Sequence, residues 1–566
     1  MINRGILSFL LSLHLFNAIG QELFVESKVV DSSNGRIASY QASGKYKEIY
    51  EGKIDIRVLN AEQINFTLPG LSAQTFQAVN NTDKLWYGKA FNEVDYITLV
   101  REGNQLIGSI FIDNKLFEIA SLTDSTGVVT CLDVSKYQEE EDVRDKSIGN
   151  YEVPFSQTRA ITTKPLRVLV AYTATAAALV TPSLTAHATL AIQTTNQTYE
   201  HSQISHRLEL AACVQVGYAG AGNLQTDLEL FVGKNDGVMD EIHTLRDRYA
   251  ADVCVLVSES SGSTAGIAEA IGANEGNAFC VVDRSAAVGN LSFPHEIGHL
   301  QGARHDVGMD SSTSPFAYGH GYISPGKNWR TVMAYGNYCN NCVRVAYWSN
   351  PNVTYPGDGR AMGTTARENN ARVLNDEIER MKSFRNPASS VSLSNCVIRG
   401  GEYAHVIASS EVKNSGTVSI EANGRMQISA PTRVTLSSGF TAKAGSNLNV
   451  KIGNPETANV LNDEVSEGAW ENPTALESRK SAFNLQVSPL PVTDRASIRF
   501  ELPGPGKVSI TLRDFGGNPV DKVLAATSME KGEQEVSFYK NGLAAGIYYL
   551  VLDYNRQIET FKLIIK

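Results

Sequence analysis

The sequence predicts a multidomain protein in which a central α/β region lies between β-rich regions. The chain has 566 residues, which is several times the usual size of one domain. Strand-like runs alternate with long helical stretches only in the middle of the chain, and this alternation is typical of an α/β layer. Short strands separated by Gly, Ser, Asn and Asp turns fill both ends, as expected for β-sheets.

The composition is that of an ordinary globular protein and excludes a disordered or collagen-like chain, since hydrophobic residues make up 42% and charged residues 19%. The 50 Lys and Arg residues are outnumbered by 60 Asp and Glu residues, and no basic run is present. A nucleic-acid partner is therefore not expected. Seven cysteines, an odd number, leave at least one thiol outside any intramolecular bridge.

Residues 1–20 have the pattern of a cleavable secretory signal. A cation at Arg4 precedes an apolar run over 6–16, and small residues follow at Ala18 and Gly20. The run is too short to span a membrane, and no later stretch is apolar enough to do so. A buried N-terminal helix is the alternative. We therefore expect an exported protein with no membrane span after the signal is removed, in which disulfides are permitted.

The next region, residues 21–158, is predicted to be mostly β. Short alternating strands such as 54–58 and 108–112 are separated by Gly, Asn and Asp clusters. The region ends in a charged stretch, 139–146, followed by Arg159, which indicates an exposed and cleavable linker.

The central region, residues 159–388, carries the α/β pattern. Its predicted strands are 167–172, 208–216 and 253–257, and its predicted helices are 184–201, 238–248 and 364–384.

Helical patterns disappear after residue 390. Residues 391–453 have short strands such as 418–421 and 434–436 between Gly and Ser turns, and predict a small β-stack region. Residues 454–483 are acidic without a clear period and predict a linker. Residues 484–566 predict a further β unit, so we expect β-sandwich-like domains at the C-terminus.

One segment of the central region points to chemistry. His295 and His299 are four residues apart, so on a helix both imidazoles can reach one ion. Glu296 is rotated by about 100° around the same helix and is placed to act on water as a general base. Gly302 allows the positive φ that ends the helix, and His305 can then return as the third ligand.

These residues predict one catalytic Zn²⁺, because three neutral nitrogen donors with an open fourth position are typical of a catalytic zinc site. Pro294 fits if the helix begins near Asn290 or Ser292, since amides of the first turn need no acceptor within the helix. The alternative is a chance HExxH on a polar helix, although the chain has only 10 His.

The extended motif resembles that of the metzincin clan of zinc endopeptidases, whose members carry a Met-containing turn below the metal. Residues 331–336 supply such a turn, and the resemblance implies that Met333 forms an apolar floor beneath the imidazoles. Tyr335 lies two residues beyond Met333, the spacing at which the related astacins place a tyrosine near the metal. Support of the oxyanion and an ordinary buried tyrosine are the two interpretations of Tyr335.

Within the clan, the chain resembles reprolysin-like enzymes and particularly the peptidyl-Asp metalloendopeptidases. The segments that carry the resemblance are 295–306, 318–322, 329–335 and 348–351, within a match over about 164–385. It implies a two-lobed, α/β (α+β) metzincin catalytic domain that hydrolyses peptide bonds on the N-terminal side of Asp.

An acidic preference requires a cation in a partly desolvated pocket, and Arg344 or Arg330 can supply a bidentate partner for a carboxylate. The alternative for each is an arginine on a solvated face.

Residues 21–158 resemble the propeptides of this group in position and length. Cys131 is either a thiolate that holds the zinc shut or a plain buried cysteine.

The remaining cysteines depend on the export prediction. Cys339 and Cys342 form a CxxC, and in an exported domain we expect disulfide bonds from them to other cysteines of the central region. The candidates are Cys213, Cys254 and Cys280, and the sequence leaves the pairing open.

The last unit resembles the C-terminal sorting domain of type IX secretion, a Gram-negative outer-membrane route. The resemblance rests on 487–491, 508–516 and 542–566, although Leu490 stands where the usual Pro-Asn-Pro start has Asn. The alternative is a carbohydrate-binding or adhesive β module.

The sequence therefore predicts a zinc endopeptidase made as a preproenzyme. Its expected partners are protein or peptide substrates and the type IX secretion machinery, and it is expected to be secreted or attached to the cell surface via the periplasm and outer membrane. The alternatives are a broad-specificity metzincin protease and an adhesion or binding protein with an incidental protease domain.

Overall fold

The structure of the protein, a computed structural model, describes residues 21–29, 35–137, 164–453, 483–489, 492–513, 519–543, 546–555 and 557–565. The predicted signal over 1–20, the predicted cleavable linker around Arg159 and nearly all of the predicted linker over 454–483 lie outside these residues. The chain divides into two compact units, Met1–Glu467 and Gly468–Lys566, which are described separately.

The first region of the larger unit is a ten-stranded sheet with one short helix, in the strand order β1-β4-β5-β6-β7-β8-β9-β10-β3-β2. Its elements are β1 (Gln21–Glu22), β2 (Phe24–Val29), α1 (Gly35–Ser43), β3 (Tyr46–Ile54), β4 (Gln63–Phe66), β5 (Gln74–Asn81), β6 (Leu85–Ala90), β7 (Tyr96–Glu102), β8 (Gln105–Ile112), β9 (Lys115–Ser121) and β10 (Thr126–Leu132). The pairs are antiparallel except for β1 with β4.

Both faces of this N-terminal sheet are covered. Along β7, Ile97 and Leu99 point into the region's own core, whereas Tyr96 and Val100 belong to a core shared with the central region. The alternation follows from the two-residue period of a strand. The N-terminal sheet is therefore packed against the central region through apolar side chains.

The central region has a parallel sheet with helices on both faces. Its elements are β11 (Leu166–Tyr172), α2 (Ala174–Leu179), α3 (Leu184–His201), β12 (Leu208–Gln215), α4 (Leu224–Val232), α5 (Glu241–Arg248), β13 (Val253–Ser258), β14 (Gly266–Ala268), β15 (Phe279–Asp283), α6 (Arg284–Gly289), α7 (Ser292–Leu300), β16 (Trp329–Arg330), β17 (Val343–Arg344), β18 (Asn350–Thr354), β19 (Ala361–Met362) and α8 (Asn370–Met381). Strands β12, β11, β13 and β15 are parallel neighbours, and β14 is an antiparallel edge strand.

The predicted elements of the central region are present, with differences at their ends. The helix predicted over 184–201 is confirmed as Leu184–His201. The helix predicted over 238–248 begins at Glu241. The last helix is shorter than predicted, because the Asn369 side chain accepts a hydrogen bond from the Arg372 N–H and caps the first turn there.

The region after residue 390 is a stack of three coils rather than a sandwich of antiparallel sheets. Its strands are β20 (Ser390–Leu393), β21 (Cys396–Ile398), β22 (Tyr403–Ile407), β23 (Glu411–Asn414), β24 (Val418–Ile420), β25 (Arg425–Ala430), β26 (Arg433–Thr435), β27 (Phe440–Ala442) and β28 (Asn447–Ile452). Each strand pairs in parallel with the strand one coil later, so that Tyr403, Arg425 and Asn447 are aligned. We call this region the β-stack.

The β-stack continues the central sheet. Strand β22 pairs antiparallel with β12, which gives one eight-stranded sheet in the order β14-β15-β13-β11-β12-β22-β25-β28. Apolar residues of the β-stack, including Val412 and Ile428, share a core with Leu169 and Leu256 of the central strands. The two regions therefore have no core boundary between them.

A buried ionic cluster crosses the same junction. Arg167 of β11 forms an ion pair with Glu209 of β12 and donates hydrogen bonds to the backbone carbonyls of Tyr249 and His405. The Nδ1 of His405, in β22, lies 2.7 Å from Glu209 Oε1. The β-stack thus completes the surroundings of a charge buried in the central sheet.

The smaller unit is an antiparallel β-sandwich. Its strands are β29 (Gln486–Ser488), β30 (Arg495–Leu502), β31 (Gly506–Arg513), β32 (Pro519–Met529), β33 (Gly532–Tyr539), β34 (Gly546–Tyr554) and β35 (Gln557–Ile565). Sheets β29-β30-β33 and β32-β31-β34-β35 enclose one apolar core that includes Ile498 and Leu550. No helix of the described residues is long and apolar enough to cross a membrane.

We expect Glu209→Gln in the full chain to lower the free energy of unfolding by about 3–5 kcal/mol, because it leaves the buried Arg167 without its counter-charge. Denaturant unfolding followed by fluorescence measures this change.

Glu411→Gln is the matched control, since the Glu411 ion pair with Arg433 lies on the exposed side of the β-stack. It is expected to leave the unfolding midpoint unchanged. Equal midpoints for the wild type and Glu209→Gln would show that the buried cluster does not stabilise the junction.

Candidate metal centre

The helix that carries the predicted ligands is α7. It begins immediately after Leu291, whose backbone is left-handed with φ 56° and ψ 30°. Pro294 lies in the first turn, where its missing N–H leaves no helical hydrogen bond unmade. The N–H of the following residue, His295, donates a hydrogen bond to the Leu291 carbonyl. The start at Ser292 confirms one of the two predicted positions.

The three predicted histidines converge on one point. The distances between their Nε2 atoms are 3.1 Å for His295 and His299, 3.2 Å for His295 and His305, and 2.9 Å for His299 and His305. Among the described residues, these three form the group whose ligand atoms can hold a metal ion.

Backbone carbonyls orient two of the rings. His295 Nδ1 lies 2.9 Å from the Val332 carbonyl oxygen, and His299 Nδ1 lies 2.9 Å from the Ala303 carbonyl oxygen. Donation from Nδ1 fixes the tautomer and leaves the Nε2 lone pair facing the other rings.

The environment keeps the imidazoles neutral. Burial lowers the pKa of His299 to about 4 and holds the pKa values of His295 and His305 well below their usual range. A neutral imidazole is the form that binds metal.

The chain returns to the centre through a tight turn. Gly302 has φ 102°, a conformation that favours glycine, and the Ala303 N–H donates to the Gly298 carbonyl. Beyond the turn, the buried His320 places Nδ1 2.9 Å from the His305 carbonyl oxygen. His320 therefore holds the backbone of the third predicted ligand.

Glu296 is buried between α7 and the edge strand β14. A Cβ atom built on Gly266 of that strand would lie 2.5 Å from Glu296 Oε1. Gly266 therefore allows the edge strand to approach the carboxylate closely, which limits the positions that the Glu296 side chain can take.

The predicted Met turn packs against the backbone of α7. Met333 is fully buried, and a Cβ atom on Gly298 would lie 2.9 Å from Met333 Sδ and 2.6 Å from the Trp348 ring. The glycine inside the HEIGH motif is thus the position where the turn and an indole pack directly against the helix backbone.

Tyr335 is buried against the ligand rings. Its ring centroid lies 4.0 Å from that of His305 and 5.9 Å from that of His295. The Tyr335 N–H donates to Asp306 Oδ2 at 2.9 Å, which ties the end of the Met turn to the residue after His305.

The two arginines considered for an acidic pocket differ in exposure. Arg330 is 2% exposed and donates to the carbonyls of Cys342 and Ala334, so the solvated-face interpretation is wrong for it. Arg344 is half-buried and donates to the carbonyls of Asn290 and Ala334.

The expected disulfide pairing is wrong. Cys339 and Cys342 are bonded to each other, with their Cα atoms 5.4 Å apart. The expected partners, Cys213, Cys254 and Cys280, are buried free thiols in β12, β13 and β15.

Cys131 is a buried free cysteine in the core of the N-terminal region, and burial raises the pKa of its thiol to about 11. The group of possible metal ligands among the described residues does not include it. These observations fit the interpretation of Cys131 as a plain buried cysteine.

The geometry fits a zinc ion. Tetrahedral zinc has Zn–N bonds of about 2.0–2.1 Å, which places nitrogen ligands about 3.3–3.4 Å apart. The observed separations of 2.9–3.2 Å are slightly shorter, and small movements of the side chains make up the difference. All three donors are imidazole nitrogens, which zinc readily accepts.

Four residues that shape the centre were not assigned a role from the sequence, namely Gly266, Gly298, His320 and Trp348. For Gly298, the signal that could have indicated close packing is the presence of a glycine between the two histidines of residues 295–299. Gly266 has no comparable signal, because its contact with Glu296 joins distant parts of the chain.

Comparison with known families matches residues 162–349 to metallo-peptidase family M12. A peptidyl-Asp metalloendopeptidase of Stenotrophomonas maltophilia is 34% identical over 389 residues, covering 64% of this chain and 92% of the relative. The corresponding protein of Xanthomonas campestris is 37% identical over 328 residues, covering 54% of this chain and 77% of the relative. A peptidyl-Asp metalloendopeptidase of Pseudomonas fragi is 40% identical over 161 residues, covering 28% of this chain and 84% of the relative.

A solved chain from a chaperone-substrate complex shares 15% identity with a TM-score of 0.32, over 51% of this chain and 41% of that chain. This similarity is too low to support an argument about fold or function.

We expect Gly298→Ala to displace the Met turn from α7, since the added methyl would overlap Trp348 and crowd Met333. The expected results are a loss of about 1–3 kcal/mol in the free energy of unfolding and at least about tenfold weaker metal binding. Thermal unfolding and titration with a metal chelator measure the two effects.

Gly217→Ala is the matched control, because a Cβ atom there meets no atom within 4 Å. It should change neither quantity. A folded Gly298→Ala protein with the metal affinity of the wild type would contradict the close-packing argument.

Proposed function

The chain belongs to metallo-peptidase family M12 and is a metalloendopeptidase, and we propose that it hydrolyses peptide bonds at a zinc ion held by His295, His299 and His305. The observation that carries this proposal is the convergence of three neutral imidazole nitrogens within 3.2 Å of one another. Zinc bound there would act as a Lewis acid that activates water and polarises the scissile carbonyl.

The side chains of the protein place a general base beside the metal site and hold the three imidazole rings in a fixed orientation. Glu296 is the general base, which takes the proton from the attacking water and delivers it to the leaving amine. Its position on α7 and its burial beside Gly266 restrict the positions that the carboxylate can take. The contact of Tyr335 with the His305 ring and the carbonyl acceptors of the Nδ1 atoms hold the ligands in orientation.

We propose a preference for bonds on the N-terminal side of Asp, because the matched relatives are named peptidyl-Asp metalloendopeptidases. A broad-specificity protease is the alternative. An adhesion or binding protein with an incidental protease domain is disfavoured, since three histidines that could hold a metal ion converge and the buried Glu296 lies on the same helix as two of them.

The N-terminal region is proposed to be a propeptide. It shares an apolar core with α3, and its Lys45 and Tyr137 both bind the carboxylate of Asp283, the residue that caps α6. A charged and apolar interface of this kind can hold the two regions together before processing.

We also propose export through the signal-like residues 1–20 and sorting by a type IX-like domain over 484–566. Sequence patterns support both proposals, and the antiparallel sandwich of the smaller unit is compatible with the second. Secretion or attachment to the cell surface would follow, with protein or peptide substrates met outside the cell.

We expect Glu296→Gln to lower casein hydrolysis by about 10²–10⁴-fold, because the amide cannot accept the proton from water. Bound metal, measured by elemental analysis, and the thermal midpoint should match those of the wild type. Retention of more than about a tenth of the activity would contradict the assignment of Glu296 as general base.

Removal of the metal should abolish the activity of the wild type. Treatment with 1,10-phenanthroline followed by dialysis is expected to stop casein hydrolysis, and stoichiometric Zn²⁺ should restore it. Full activity in metal-free protein would refute the proposed function.

A further inference from the structure

The N-terminal region and the central region share an apolar core around α3. Fourteen of the 18 residues of this helix are buried, because α3 packs between β12 on one side and β7 and β8 of the N-terminal sheet on the other. Val100 and Ile107 of the N-terminal sheet belong to the same core as Leu190 and Ile192 of α3. The N-terminal sheet therefore covers a face of α3 that would otherwise be apolar and open to water.

Hydrogen bonds cross the same interface. His201 Nδ1, at the end of α3, lies 3.1 Å from the Ala346 carbonyl oxygen and therefore carries the proton. Its Nε2 is then an acceptor, and it takes a hydrogen bond from the Tyr87 hydroxyl at 2.9 Å. Gln197 Nε2 donates to Thr98 Oγ1 of β7. These contacts fix the position of the N-terminal sheet on α3 in addition to the apolar packing.

An ionic contact between the two regions is also buried. Lys45 Nζ lies 2.6 Å from Asp283 Oδ2 and 3.7 Å from Glu259 Oε2. The Lys45 side chain is 12% exposed, and the Asp283 side chain is fully buried. The Tyr137 hydroxyl donates to Asp283 Oδ1 at 2.9 Å. Two side chains of the N-terminal region thus bind one carboxylate of the central region.

The charge of Asp283 is matched by Lys45. Burial by itself raises the pKa of this carboxyl group, but the charge and the hydrogen bond of Lys45 bring the pKa below its usual value. Arg284 does not replace Lys45, because its guanidinium forms an ion pair with Glu259. Removal of the Lys45 charge would therefore leave a buried carboxylate without compensation.

All of these contacts come before the predicted cleavable linker. The residues of the N-terminal region that make them lie between Lys45 and Tyr137, whereas the linker prediction rests on the charged stretch 139–146 and on Arg159. A cut in the linker breaks a peptide bond and removes none of these contacts. It makes the N-terminal region a separate chain that is held by noncovalent contacts alone.

The end of the N-terminal region lies close to the metal centre. Leu132 and Tyr137 belong to a small apolar cluster against which Ala265 packs. Ala265 directly precedes Gly266, where an added Cβ atom would lie 2.5 Å from Glu296 Oε1. Departure of the N-terminal region would therefore change the surroundings of the edge strand next to Glu296, whereas a cut in the linker would not.

We propose that the N-terminal region stays bound to the central region as a noncovalent subunit after the linker is cut, and that the contact of Lys45 with Asp283 controls its release. This inference rests on the proposed propeptide role and deepens it. Release of the N-terminal region becomes a step that is distinct from cleavage of the chain.

The test uses the full-length Glu296→Gln protein with the recognition sequence of a site-specific protease inserted within 147–158. Without the proposed base, the protein does not digest its own N-terminal region, so binding is measured apart from hydrolysis. After the cut, we expect the two fragments to elute together in size-exclusion chromatography at about 1 µM. The release rate is measured by washing the cut protein while it is immobilised through its C-terminus.

Lys45→Met in the same protein keeps a long side chain and removes its charge. We expect this variant to release the N-terminal fragment about 100-fold faster than the parent, because Asp283 loses its counter-charge. Lys53→Met is the matched control, since Lys53 pairs with Glu26 within the N-terminal region and both side chains are more than half exposed. It should release the fragment at the parent rate.

Separation of the parent fragments without denaturant overturns the retained subunit. Release from Lys45→Met at the parent rate overturns control by the ionic contact. If Lys45→Met does not fold as an uncut chain, Tyr137→Phe decides, since it removes one hydrogen bond to the Asp283 carboxylate and is expected to speed release about tenfold. An unchanged rate in that variant likewise overturns the control by this contact.

The fragment assay and the casein assay fail independently. Fragments that separate overturn the retained subunit and leave the metal-dependent protease standing. A wild-type protein that does not hydrolyse casein refutes the proposed function, whereas co-elution of the fragments still supports the retained subunit.

Discussion

The candidate metal centre depends on one constraint, namely that three imidazole nitrogens are held about 3 Å apart in a buried place. In this arrangement the Nε2 lone pairs of the uncharged rings point at one another. The repulsion between these lone pairs is unfavourable until an ion lies between them. Contacts around the rings impose this arrangement. The Val332 carbonyl orients one ring and the Ala303 carbonyl orients another. The Met turn packs against the backbone of Gly298 in α7. The core that contains Ile297, Leu300 and Met333 therefore keeps the three histidines together.

Local patterns in the sequence predicted the parts of the centre that depend on neighbouring residues. The spacing of His295 and His299, the glycine turn and the return of His305 follow from helix geometry and one positive φ. For the same reason, the 18-residue helix α3 matches its prediction, since its ends are set by local capping at Ser183 and by the turn after His201.

Contacts between distant segments were not predictable in the same way. The approach of Gly266 to Glu296 and the convergence of Arg330 and Arg344 on Ala334 depend on how separate elements fold together. The disulfide was misassigned because the sequence gives no indication that the other thiols are confined to covered strands. Strand patterns predicted the small β-stack, but not that its edge would pair with β12.

The eight-stranded sheet that runs from β14 to β28 has a practical meaning for protein engineering. A fusion protein designed around the metallopeptidase domain would naturally be cut after the family match, which ends at residue 349, or at the predicted end of the central region, residue 388. A fragment cut there would lose the strands that pair with β12 at the edge of the sheet. It would also expose the apolar core that the central strands share with the β-stack. The smallest portable piece must instead include the coils through Ile452.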